Sequence, residues 1–168
     1  MNNEKDNVYD LVEDFYAHDE GWNTLLRQEY AEGFLRMEAW KGKKNSDLYR
    51  SWDNLTMLCL YLGSAETFLG DMNADDFIDC IAWCGRNISE FTPDYKNTQD
   101  FLETCDGLFK YLKGKNAISN DTVPGTAAEI LLQEGKMNII LPDGSFDEAN
   151  AERAWNATPD IPAKIFLN

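Results

Sequence analysis

One histidine, His18, is all that the 168 residues offer of the side chain most used in acid–base and metal chemistry near neutral pH. It sits beside Asp19 and Glu20 at the end of a predicted helix, with no patterned nucleophile next to it, and reads as a solvated residue. The phosphate-binding G-x-x-x-x-G-K-[ST] motif, the dinucleotide glycine fingerprint and the G-x-S-x-G elbow are all missing. No pair of carboxylates stands out as an acid and a base. These absences lead to the expectation of a non-catalytic protein: no enzyme, no catalytic residue, no metal and no cofactor.

Basic residues are also scarce. Fifteen Lys and Arg face 30 Asp and Glu, for a net charge of −15. Nucleic acid and anionic membranes attract proteins through Lys and Arg, so the bulk charge disfavours both and suits a basic protein partner. Long apolar runs are lacking as well. The longest spans residues 57–62, far short of a bilayer crossing, and residues 1–6 carry no stretch of signal-peptide type. The chain is therefore expected in the cytoplasm.

What is present is a core. Apolar residues make up 43% of the chain and aromatic residues 12%, enough to exclude wholesale disorder. Val8, Leu11, Val12 and Phe15 predict a first helix over residues 7–17. Trp22, Leu25, Leu26, Tyr30, Phe34 and Met37 predict a second over 21–40. Ser46 is the predicted N-cap of a third over 47–62, with Leu48, Trp52, Leu55, Cys59 and Leu62 on its core stripe. Its apolar C-terminal half predicts a central helix buried nearly all round. Asn73 caps a fourth helix, with Phe77, Ile78, Ile81 and Cys84 inward. Thr92-Pro93 opens a fifth, with Phe101, Leu102, Cys105, Leu108, Phe109 and Leu112 inward and Gly114 at its end.

After residue 116 the pattern changes. Residues 120–125 predict a linker, 126–133 a short helix and 137–141 a strand. Ser145 to Glu148 forms a capping box that starts a last helix ending near residue 155. The expected architecture is mainly all-α: a bundle of about five helices over residues 1–118, and a small α/β appendage over 119–168.

Three clusters invite chemistry. Cys59, Cys80, Cys84 and Cys105 all occupy apolar stripe positions, which favours packing over a metal site or a disulfide framework. Asp71, Asn73 and Asp75 match the first ligand positions of an EF-hand loop, but Asp76 stands where glycine belongs and Ala82 where the bidentate glutamate belongs. Lys41, Lys43, Lys44 and Arg50, with Tyr49 between them, form the one concentrated group of bases. These five residues are the candidate contact with a protein partner or with nucleic acid.

Residues 46–119 resemble the N-terminal core-binding, or SAM-like, domain of tyrosine recombinases and phage integrases. Ser46-Asp47-Leu48-Tyr49 followed by Leu55, Leu58 and Tyr61-Leu62 resembles that domain's opening helix. Met72-Asn73-Ala74-Asp75-Asp76-Phe77-Ile78 resembles the start of its second. The segment from Phe91-Thr92-Pro93 through Leu108-Phe109-Lys110-Tyr111-Leu112 resembles the helix before the domain exit. The resemblance implies an all-helical domain that grips DNA opposite a catalytic domain. The family's Arg, His and Tyr catalytic set has no counterpart here, since the residues after Ser119 include one Arg and no His. Two expectations follow: an acidic helical module that binds another protein, or a DNA-associated accessory protein that uses the basic loop.

Overall fold

The computed structural model describes residues 7–18 and 26–140, with no side-chain description for His18. Six α-helices occupy these residues: α1 Val8–His18, α2 Gln28–Trp40, α3 Asn45–Ala65, α4 Ala74–Asn87, α5 Tyr95–Gly114 and α6 Val123–Glu134. A 3-10 turn, Leu69–Asp71, bridges α3 and α4. The mainly helical expectation holds. None of these helices is long and apolar enough to cross a membrane.

The centre of the bundle is α3, which packs against α1, α2, α4 and α5. Leu48, Trp52, Leu55, Cys59 and Leu62 are all buried, as are Met57, Leu58 and Tyr61 between them. The run that left this helix without a polar face in sequence is therefore sealed by neighbours on nearly every side. Phe77 of α4 meets Phe109 of α5 edge to face at 5.3 Å, a geometry the ring quadrupoles favour. A polar clamp joins α3 to α5: the Asn54 amide donates to Asp100 Oδ2 at 3.0 Å and to Thr104 Oγ1 at 2.9 Å. Both acceptors satisfy a side chain that burial would otherwise penalise.

Helices α2 and α5 interlock through two glycines. A Cβ on Gly33 would lie 1.9 Å from the Tyr111 hydroxyl oxygen, and one on Gly107 would lie 3.2 Å from the Phe34 ring. Each aromatic residue sits where its partner helix has no side chain, so the axes approach closely.

Helix starts differ from the sequence expectation where a stronger partner exists. The second helix begins at Gln28, after Leu26 and Arg27. The buried Tyr16 hydroxyl donates to the Leu26 carbonyl, while the Tyr30 N–H bonds Arg27 O, which starts the helical ladder one residue later. The third helix starts before Ser46, with Lys44 as cap. Asp94, and not Thr92, caps the fifth: its carboxylate accepts from the Asn97 N–H at 2.9 Å. Asn73 does cap the fourth, with Asp76 returning the bond to complete a capping box.

The predicted linker over 120–125 is also corrected. Pro124 lies in the first turn of α6, where its missing N–H costs nothing, and Gly135 closes that helix in the left-handed region at φ 67°. Helix α6 packs on α5 and α4 through Ala127 and Leu131. The predicted strand at 137–141 forms no sheet in its described part, residues 137–140. Met137 and Ile139 alternate inward as expected of extended chain, but their partner is the bundle. The Ile139 and Ile140 N–H groups donate to the Pro93 carbonyl, and the Asn138 side chain accepts from the Tyr95 N–H. The predicted last helix, 146–155, lies outside the described residues.

Candidate interaction surface

The basic cluster is divided by its surroundings. Glu38 is buried on α2, a position the apolar stripe did not announce. Lys41 and Lys43 place their ammonium groups 3.6 and 3.8 Å from its two carboxylate oxygens. Two of the predicted contact lysines therefore neutralise a buried acid and fix the turn that joins α2 to α3. Lys44 is exposed at the cap of α3. Tyr49 is half-buried and lines a hollow of about 610 Å³ with Tyr9, Asp10 and Asn45. Arg50 borders a different recess, where Asp53, Glu90 and Asp100 gather between α3 and α5. Lysines and arginine thus face different groups.

That recess shifts one acid. Burial, followed by the nearby Glu90 carboxylate, raises the Asp53 pKa from 3.8 to about 6. The folded pKa lies above the unfolded one. Asp53 thus contributes stability that is fully present below about pH 4 and is lost as pH rises through about 6. Asp53→Asn is expected to raise the melting temperature at pH 7.5 and to leave it nearly unchanged at pH 4. Thermal melts of both proteins at the two pH values measure this; a shift of equal size at both would show that Asp53 ionisation is not the cause.

The four thiols lie within the core, where all are free and buried. Desolvation pushes Cys59 up to about 12 and holds Cys80 and Cys105 well above the usual thiol range. Metal binding and disulfide exchange need thiolate, which these sites disfavour. Among the described residues, no group of three or more His, Cys, Asp or Glu is placed to hold a metal ion. A thiol reagent is expected to label none of the four in the folded protein and all four after denaturation. Labelling of even one under native conditions would contradict their burial. In the segment that resembles an EF-hand start, Asn73 and Asp76 are engaged in the capping box.

Two surface features did not emerge from the sequence. The first is a groove of about 250 Å³ between α5 and α6. Leu102, Pro124, Ala128, Leu132 and Met137 give it an apolar floor, and Glu103 and Asp106 stand at its edge. Leu132 is 52% exposed, and Tyr95, one turn before Gln99 of the groove wall, is exposed as well. Lys110 pairs with Asp106 at 2.6 Å, which leaves Glu103 as the freer acid. The second feature is Trp40, 91% exposed at the last residue of α2. Ala31, Phe34, Leu35 and Glu38 mark the buried face of that helix. At about 100° per residue, Trp40 lies roughly opposite them. That offset is the signal the sequence carries for it.

Compared with family models, with curated proteins and with solved structures, the chain matches none.

Proposed function

We propose that this chain is a non-catalytic, acidic, helical interaction module whose binding face is the groove between α5 and α6. The single observation that carries this is an apolar groove, unfilled among the described residues, with exposed Leu132 and a carboxylate edge, on a protein of net charge −15. Drug-sized ligands occupy pockets of about 300–1,000 Å³, so a groove of about 250 Å³ suits one or two side chains of a protein partner better. The sign of its edge selects a basic partner. An apolar anchor flanked by Lys or Arg on a helical segment meets both requirements.

A second reading is a DNA-associated accessory protein related to recombinase core-binding domains, using Lys41, Lys43, Lys44, Tyr49 and Arg50. The Glu38 carboxylate between Lys41 and Lys43 offsets part of the positive charge of this loop, and a net charge of −15 over the chain opposes phosphate, which weighs against it.

Substitution separates the readings. Leu132→Glu is expected to weaken binding of a cationic amphipathic peptide by about tenfold or more, because it places a charge on the apolar floor. Isothermal titration of wild type and variant measures this; equal affinity would remove the groove from the account. Changing Lys44 and Arg50 to Gln is expected to leave that affinity unchanged.

A further inference from the structure

The groove leaves open which basic segment fills it, and the chain carries one itself. Trp40 is the most exposed of the large hydrophobic residues described, at 91%, whereas tryptophan in folded proteins is highly buried on average. It is followed at once by Lys41, Gly42, Lys43 and Lys44, the one concentrated run of positive charge. This knob is rigid. The Gly42 N–H donates to Ala39 O and the Lys43 N–H to Glu38 O, and Gly42 takes the positive φ of 81° that the turn needs. Glu38 holds two of the ammonium groups beside the turn while leaving them about half exposed. A backbone fixed in this way loses little freedom on binding.

We propose that the Trp40 knob of one copy of this chain seats in the α5–α6 groove of another. The inference rests on the groove reading above and names its partner. Two observations carry it independently: an exposed Trp40 followed at once in the chain by three lysines, and an apolar groove whose lining includes Glu103 and Asp106. They are complementary in sign, one apolar and exposed to solvent and the other an apolar hollow, and among the described residues neither is filled. Tryptophan is also the side chain most enriched among residues that dominate protein interfaces. The overall charge of each copy opposes the encounter. At about 0.15 M salt the screening length is near 8 Å, so repulsion between distant acids fades while the ion pairs at the contact persist. Self-association is therefore expected to be weak at low salt and stronger at physiological salt, the reverse of what a phosphate contact shows.

The test is sedimentation velocity of the full chain over a concentration series at low and physiological salt. The wild type is expected to show a sedimentation coefficient that rises with concentration. Trp40→Ala and Leu132→Glu should each weaken this about tenfold or more. Trp40 and Leu132 are exposed, so both single variants should keep the wild-type circular dichroism. An equimolar mixture of Trp40→Ala and Leu132→Glu should regain association, because one supplies the groove and the other the knob. A wild type that stays monomeric, or a mixture that does not recover, overturns the inference. If the wild type stays monomeric but a cationic amphipathic peptide still binds in a Leu132-dependent way, the inference alone fails and the groove reading stands. If that peptide does not bind either, both fail.

Discussion

Trp52→Ala is expected to cost about 3–5 kcal/mol of folding stability, as truncation of a fully packed aromatic residue typically does. Trp52 is 6% exposed on α3, and its ring lies edge-on to Phe15 at 5.4 Å and tilted to Tyr16 at 6.5 Å. Removing it deletes the contact that holds α1 onto the central helix. The substitution also removes a ring neighbour of Tyr16, whose hydroxyl bond to Leu26 O ties down the approach to α2. Domains of this size are stable by roughly 5–15 kcal/mol, so the variant should be marginal at ambient temperature. Urea unfolding followed by circular dichroism gives the value. Trp52→Phe should recover more than half of the loss by restoring the edge-to-face partner. A loss below about 1 kcal/mol would show that α1 does not depend on this ring.

Gly33→Ala should have a sign that depends on one neighbour. In an open helix, alanine in place of glycine stabilises by about 1 kcal/mol through backbone entropy. Here the added Cβ would meet the Tyr111 hydroxyl oxygen at 1.9 Å and its ring carbon at 2.8 Å, so the ring must swing away. That ring packs on Phe34 at 6.3 Å and lies beneath the Lys115 ammonium, and displacing it gives up both contacts. Overpacking of this kind typically costs about 1–3 kcal/mol, which outweighs the entropic gain. In a Tyr111→Ala background the obstacle is gone, and Gly33→Ala should then stabilise. A double-mutant cycle by thermal unfolding measures the coupling. The same sign in both backgrounds would contradict the close approach of α2 and α5.

The periodic parts of the fold were legible because burial repeats along a helix. Phe77, Ile78, Ile81 and Cys84, and the six inward residues of α5, are buried as their spacing indicated. The capping pair Asn73 and Asp76 was half legible: the cap was read, but the return bond was not. What sequence pattern missed is tertiary. The burial of Glu38 depends on lysines that come after its own helix ends, and nothing in the spacing of α2 announces it. The helix starts at Gln28 and Tyr95 were set by the Tyr16–Leu26 bond and by Asp94. The basic residues form one patch in sequence only. In space, Glu38 holds two of them and Arg50 turns to the Asp53 recess. The groove is not legible in the sequence, since the first turn of α6, with Pro124 and Gly125, lines it and the apolar spacing begins only after that turn.

One titration bears most directly on the proposal that this chain binds basic protein segments. Fluorescence anisotropy would compare a labelled cationic amphipathic peptide with a labelled DNA duplex, each at low and at physiological salt. The account predicts that the peptide binds at physiological salt and is displaced by nothing more than unlabelled peptide. It also predicts that duplex DNA binds at most weakly at low salt, because four basic side chains offer a salt slope of only about −3 to −4. Sub-micromolar binding of the duplex at physiological salt, lost when Lys41, Lys43, Lys44 and Arg50 are changed to Gln, would contradict the account and favour the core-binding reading.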